Sequence, residues 1–332
     1  MLRTPLLALL CTACTPEPDL VVYCALDQVF AEPLLARFEK ETGLDVQMHF
    51  DTEASKTVGL VRRLIEEKDQ PRCDVFWNNE IAQTVRLAEL GMLATYDSPS
   101  AADIPPLFRD PQGRWTGFGA RARILIVNTD LADPAEIEGM WDLLDPRWKG
   151  QVGIARPLTG TTLTHATALY SVVGEEKAGE YLSRIQAAGA QGDVNICSSN
   201  GQVMTLVSSG ELAFGWTDTD DFNVARAKGR PVAAVYPDQG GIGTLVIPNT
   251  VAILKGAPHP DAARRLVDWA LSKEVESAMA HSDSAQIPVR PDVSRPAHVR
   301  SLDGFEVMQV SYVAIGKQIA KRTEEFKELF VR

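Results

Sequence analysis

Asp218, Asp220 and Asp221 place three carboxylates within four residues, after the apolar run 212–217 and before the helical pattern 222–228. Packed carboxylates repel and raise one another's pKa unless a cation relieves them. That cation can be a metal, a ligand's ammonium group, or Arg121 or Arg123. The oxygen-rich set suits calcium, magnesium or ferric iron better than copper or zinc. The alternative is a solvated turn with Asp221 as helix cap. A second chemistry sits in Thr159-Gly160-Thr161-Thr162 and in Ser198-Ser199-Asn200-Gly201. Each run puts hydroxyls, a glycine and free backbone N–H groups at a helix start, which is how proteins hold anions. Ordinary capping is the competing explanation.

Two further polar runs follow apolar strands. Asp27 lies between a strand and a helix, where it can cap the helix, touch a ligand, or do both. Asn78, Asn79 and Glu80 follow Trp77 and precede a helix at 81–90. One cap does not need three polar residues, so at least one is expected to touch ligand. Arg121 and Arg123 are two apart on a strand and share a face. They can clamp a carboxylate or phosphate, or pair with Asp218 or Glu80. The candidate ligand contacts are therefore Asp27, Asn78, Asn79, Glu80, Arg121, Thr159, Gly160, Thr161, Asn200, Asp218, Asp220 and Asp221. Asp27, Glu80, Asp218 and Asp220 are the candidate metal ligands. The five histidines show no metal spacing, and no nucleophile elbow or phosphate-binding loop occurs, so no enzyme activity is expected. Tyr23, Tyr236, Trp77 and Trp216 are expected to pack.

The elements that must position these residues alternate. Residues 20–24 form a strand, 30–42 a helix stopped at Gly43, 44–50 a strand, 55–68 a helix, 73–77 a strand and 81–90 a helix. A second series follows: strands at 121–128 and 152–155, helices at 163–173, 176–189 and 203–209, and a strand at 212–217. Short strands at 231–236 and 243–247, an apolar stretch at 251–254 leading into a helix at 259–270, and a last helical stretch at 306–329 complete the chain. Such alternation implies mostly parallel sheets covered by helices, with ligands at the carboxyl ends of the strands. The fold class is α/β, in two lobes.

The 332 residues are enough for two cores, and a net charge of −11 argues against nucleic acid or an anionic membrane as partner. Residues 1–19 read as a signal segment and tether, with Met1-Leu-Arg3, a brief apolar core and small residues before Cys14. Cys14 is the expected lipidation site and the only membrane contact, placing the protein in the periplasm or at the cell surface. Cys24, Cys73 and Cys197 are expected to be buried and reduced.

An ordered set of segments resembles the bacterial extracellular solute-binding proteins of the ferric-ion-binding type, the periplasmic receptors of ABC importers. They include Val22-Tyr-Cys-Ala-Leu-Asp27, Asp74-Val-Phe-Trp-Asn-Asn-Glu80, Ala120-Arg-Ala-Arg-Ile-Leu-Ile-Val-Asn-Thr129, Asp145-Pro-Arg-Trp-Lys-Gly150 and Arg156-Pro-Leu-Thr-Gly-Thr161. The resemblance implies a periplasmic-binding-protein-like fold whose lobes are joined by two crossing strands, near 121–126 and 243–247. Lobe one would take residues 20–120 plus 246–290, and lobe two 121–245 plus 291–332. It implies a monomer that closes on a small ligand and delivers it to an ABC permease in the inner membrane. It also implies that Thr159, Gly160, Thr161 and Asn200 hold a companion anion. Where the family's iron binders carry two adjacent tyrosines, this chain has Thr217-Asp-Thr-Asp-Asp221. Two cargoes stay open, the first being the leading expectation and the second its alternative. One is ferric iron, or another hard cation, held with an anion by carboxylates instead of phenolates. The other is a small organic anion or zwitterion, such as a phosphonate, sugar phosphate or carboxylate, bound without metal. No cofactor other than such cargo is expected.

Overall fold

The computed structural model describes residues 17–51 and 58–331. Cys14, the signal segment and the start of the helix expected from residue 55 lie outside the described residues.

The first half builds β1 (Leu20–Cys24), α1 (Gln28–Thr42), β2 (Val46–Phe50), α2 (Val58–Glu66), β3 (Val75–Asn78) and α3 (Ile81–Glu89). The apolar strands β1 and β3 are wholly buried, as strands covered on both faces must be. β1 pairs in parallel with both β2 and β3. The second half builds β4 (Thr116–Asn128), β5 (Val152–Ala155), α4 (Gly160–Val172), α5 (Glu175–Gln191), β6 (Asn195–Cys197), α6 (Asn200–Ser209), β7 (Phe214–Asp218), α7 (Thr219–Ala227) and β8 (Val232–Val235). Here β5 pairs in parallel with β6 and β7. Then come β9 (Val246–Ile253), α8 (Pro260–Ala270), α9 (Lys273–His281) and α10 (Tyr312–Phe330).

The strand order β2-β1-β3-β9-β4-β7-β5-β6 shows how the halves join, with β8 also pairing β4. β9 lies between β3 and β4, and β4 continues from β9 to β7. These crossing strands run antiparallel to their neighbours, and the parallel pairing lies in the two outer sets. β4 is buried along all thirteen residues. Its register with β9 slips between Phe118 and Ala120, where Gly119 adopts a φ of 39°. Glycine alone adopts that backbone readily, and the Gly119 N–H donates to Glu276 Oε1 at 3.1 Å.

Several boundaries depart from expectation. The strand expected at 243–247 and the apolar stretch at 251–254 belong to one strand, β9. α9 was not anticipated. The final helix starts at Tyr312 rather than 306, and Val307 instead bridges to Thr244. α10 packs on both α3 and α4, one helix from each half. Cys24, Cys73 and Cys197 are buried free thiols.

Candidate functional site

The strands of each parallel set point their carboxyl ends at a common space. β1 ends just before Asp27 and β3 just before Asn79. β5 leads to Arg156 and Thr159, β6 to Ser198, Ser199 and Asn200, and β7 to Asp218. The residues after those five strand ends line a cavity of about 350 Å³. Of the candidate contacts, Asp27, Asn79, Arg121, Thr159, Gly160, Thr161, Asn200, Asp218, Asp220 and Asp221 line it. Asp27 and Asp220, almost two hundred residues apart in sequence, share one wall system.

Asn78 and Glu80 do not line the cavity. Asn78 Nδ2 donates to Glu80 O and Thr84 Oγ1, and its Oδ1 accepts the Glu80 N–H. Glu80 is the N-cap of α3 and accepts from the Ala82 and Gln83 N–H groups. It also accepts from Thr164 Oγ1 of α4 at 2.5 Å. Burial pushes its pKa up, against those donors and Arg121. Glu80 thus serves as helix cap and Asn78 braces it, whereas Asn79 lines the cavity.

The aspartate run is not a solvated turn. Asp218 is the last residue of β7 and the N-cap position of α7, while Asp220 and Asp221 fall in that helix's first turn. Asp218 and Asp220 are buried. Arg123 Nη1 donates to Asp218 Oδ1 at 2.8 Å, and Arg121 Nη1 to Asp220 Oδ2 at 3.0 Å. Arg121 Nε stands 3.8 Å from Asp218 Oδ2, and its Nη2 reaches Asn79 O. Asp218 Oδ2 also accepts from Thr161 Oγ1 at 2.6 Å and Asn200 Nδ2 at 3.1 Å. Burial alone would raise the Asp218 pKa. Arg123 and Arg121 outweigh it and hold the carboxyl below the ordinary aspartate range. The β4–β7 register forces the stronger pair, because Arg123 lies directly opposite Asp218. Thr217 Oγ1 donates to Asp221.

Beside the aspartates, and bonded to Asp218 through Thr161 and Asn200, α4 and α6 present their N-termini to the same cavity. Thr159 is the N-cap of α4 but makes no side-chain capping bond. Gly160 follows with a φ of 57° and open space where a side chain would stand. Ser199 caps α6 through the Gln202 N–H. Asn200 ties the two helix starts together by donating to Thr161 Oγ1 and accepting from Thr162 Oγ1, both at 2.9 Å.

Arg156 was not singled out from the sequence. It is exposed at the cavity wall, and its loop is pinned by its own N–H to Cys197 O at 2.9 Å. Its place after β5 and ahead of the Thr159 run was the available signal. Among the described residues no tyrosine or tryptophan lines the cavity. Tyr23 donates to Glu67 at 2.8 Å, Tyr236 packs on Phe305, and Trp77 and Trp216 are buried. His165, edge-on to Trp216, is driven down to a pKa of about 3 by burial and by Arg123, so it is neutral there.

Comparison with known proteins agrees with this arrangement. Residues 34–306 match the family model for bacterial extracellular solute-binding proteins. An uncharacterized Haemophilus influenzae protein is 32% identical over 81% of this chain and 77% of its own length. Iron-bound HitA from Pseudomonas aeruginosa superposes with a TM-score of 0.82 at 23% identity, over 92% of this chain and 98% of HitA. AfuA from Actinobacillus pleuropneumoniae, with fructose-6-phosphate bound, gives 0.82 at 24% identity over 94% and 98%. Those two likenesses speak to fold. A strand-end cleft between two parallel sets, and a family match across most of its length, place the chain among the bacterial extracellular solute-binding proteins.

Proposed function

We propose that this protein is the receptor of an ABC importer and captures a small organic anion that carries hydrogen-bond donors at its other end. The observation that carries the reading is that two helix N-termini and several carboxylates line one cavity. The N-termini of α4 and α6, with Arg156 beside them, form an anion seat. Asp27, Asp220 and Asp221 supply carboxylate oxygens elsewhere on the wall. A sugar phosphate or an aminophosphonate fits both, its phosphoryl oxygens at the helix starts and its hydroxyls or ammonium group at the carboxylates. Arg121 adds a buried Nε without a hydrogen-bond partner. The volume of 350 Å³ suits such a ligand.

Ferric iron with a companion anion is the competing cargo. Asp218, Asp220 and Asp221 bring carboxylate oxygens within 4.8 Å of one another. However, two of the three are already paired to guanidinium groups. Each unit of positive charge brought within about 4 Å of such a group costs roughly 4 kcal/mol at an effective dielectric near 20.

In this reading one lobe comprises 20–120 plus 246–290 and the other 121–245 plus 291–332. They close on the ligand because the bound form gains contacts from both. The receptor acts as a monomer, tethered through Cys14 outside the inner membrane, and hands its cargo to the permease without chemistry. A thermal-shift panel of phosphonates, sugar phosphates (fructose 6-phosphate among them) and carboxylates, run with a metal chelator, tests the cargo. Stabilisation by a phosphorylated compound under chelation is expected. Stabilisation by ferric citrate alone, abolished by chelator, refutes the reading.

A further inference from the structure

We infer that Arg121 and Arg123 are specificity-determining residues, which occupy the electrostatic place of a cation beside Asp218 and Asp220 and shut hard metal ions out of this cleft. The inference deepens the organic-anion reading and rests on it. Three carboxylates with oxygens within 4.8 Å of one another form an oxygen set that hard cations seek. In this fold that set is closed from behind. Arg123 is fully buried, opposite Asp218 in the β4–β7 register and 2.8 Å from it. Arg121, two residues along on the same face, reaches Asp220 at 3.0 Å and Asp218 at 3.8 Å. Both guanidiniums are anchored on further oxygens. Arg121 holds Asn79 O, and Arg123 holds Thr161 and Thr162 Oγ1 at 3.2 and 3.3 Å. A metal at this triad must therefore displace a buried guanidinium or sit against it. The second independent observation is that the Nε atoms of both arginines are buried without hydrogen bonds. Their retention beside the carboxylates follows from charge pairing rather than from full hydrogen bonding.

The test uses terbium(III), a hard trivalent ion whose luminescence is sensitised by tryptophan, and ferric citrate as second probe. The wild-type protein is expected to bind neither at micromolar concentration. Arg121→Gln is expected to gain terbium affinity by about 100-fold or more, with one ion per protein, because one of the two repelling guanidiniums is gone. Arg121→Lys keeps the charge and is expected to gain nothing. Should Arg121→Gln fail to fold alone, refolding with terbium is expected to rescue it. The inference is overturned if wild type binds terbium as tightly as Arg121→Gln, if the Lys and Gln variants bind alike, or if Arg121→Gln neither binds nor is rescued. The phosphorylated-ligand panel reads separately. Its failure defeats the cargo assignment and leaves the arginine result standing, and the reverse also holds.

Discussion

Asp218 concentrates the physics of the site. It is buried, yet it stays ionised because two guanidiniums, a hydroxyl and an amide surround it. Breaking one partner of a buried pair costs about 3–5 kcal/mol, since the other charge is left without compensation. Asp218→Asn is therefore expected to lose stability on that scale in urea denaturation at pH 7. The pH dependence has a definite sign. The folded pKa of Asp218 is depressed, so its contribution is full above the ordinary aspartate value near 4 and is lost as pH falls through the folded pKa. His165 is also depressed, to about 3, so its contribution is lost over a window that starts higher and overlaps, from about 6.5 down to about 3. Stability measured against pH should lose the Asp218 limb in Asp218→Asn and keep the His165 limb. An unchanged profile below pH 4 refutes this account. Residue types at strand ends were enough to name ten of the cavity-lining positions. They were not enough to separate Asn79 from Asn78 and Glu80, because capping and ligand contact use the same side chains, and only the directions taken by neighbouring Thr84 and Thr164 decide.

At the scale of elements, strongly patterned strands and helices were legible and the interrupted ones were not. β9 read as two pieces because Pro248 and Asn249 break its apolar run. Proline is tolerated there because it sits opposite Ala120, next to the β4 bulge, where the ladder is already disrupted. α9 escaped notice because its nine residues are too few to show a clear period, although Ser272 caps it. The last helix begins late because Val307 and Met308 are held at Thr244. That helix, α10, presses against α3 at Gly316. A methyl group there would overlap Val85 and come within 3.0 Å of Ala82 O. Alanine in a helix normally gains about 1 kcal/mol over glycine, whereas overpacking costs about 1–3 kcal/mol. Since Ala82 O is backbone and Val85 is fully buried, overpacking is expected to win. Gly316→Ala should lower the melting temperature by about 1–3 °C. A rise would show that α10 can lift from α3 freely.

At the scale of the whole molecule, several bonds join elements of the two proposed lobes outside the strand ladders, among them Tyr312 Oη to Val246 O, Lys273 to Asp292 and Lys317 to Glu89, and two of them lie at the strand-end cleft. Arg121 reaches Asn79 O, and Thr164 on α4 donates to Glu80 at the start of α3. The Thr164 bond is the cleaner handle on closure, because Thr164 does not line the cavity and its loss removes no ligand contact. A hydrogen bond to a charged group contributes about 1.5–3 kcal/mol. If the bond exists only when the lobes are together, removing it shifts the closed fraction, and the apparent affinity with it, by roughly 10- to 100-fold. Thr164→Val keeps the shape and deletes the donor, while Thr164→Ser keeps the donor. Small-angle X-ray scattering of the free protein should show a larger radius of gyration for the valine variant and an unchanged one for serine. The best ligand from the thermal-shift panel should bind the valine variant more weakly by the same factor. Equal radii and equal affinities in all three proteins would mean that Glu80 and Thr164 stay together in every state, and that the cleft opens elsewhere or not at all.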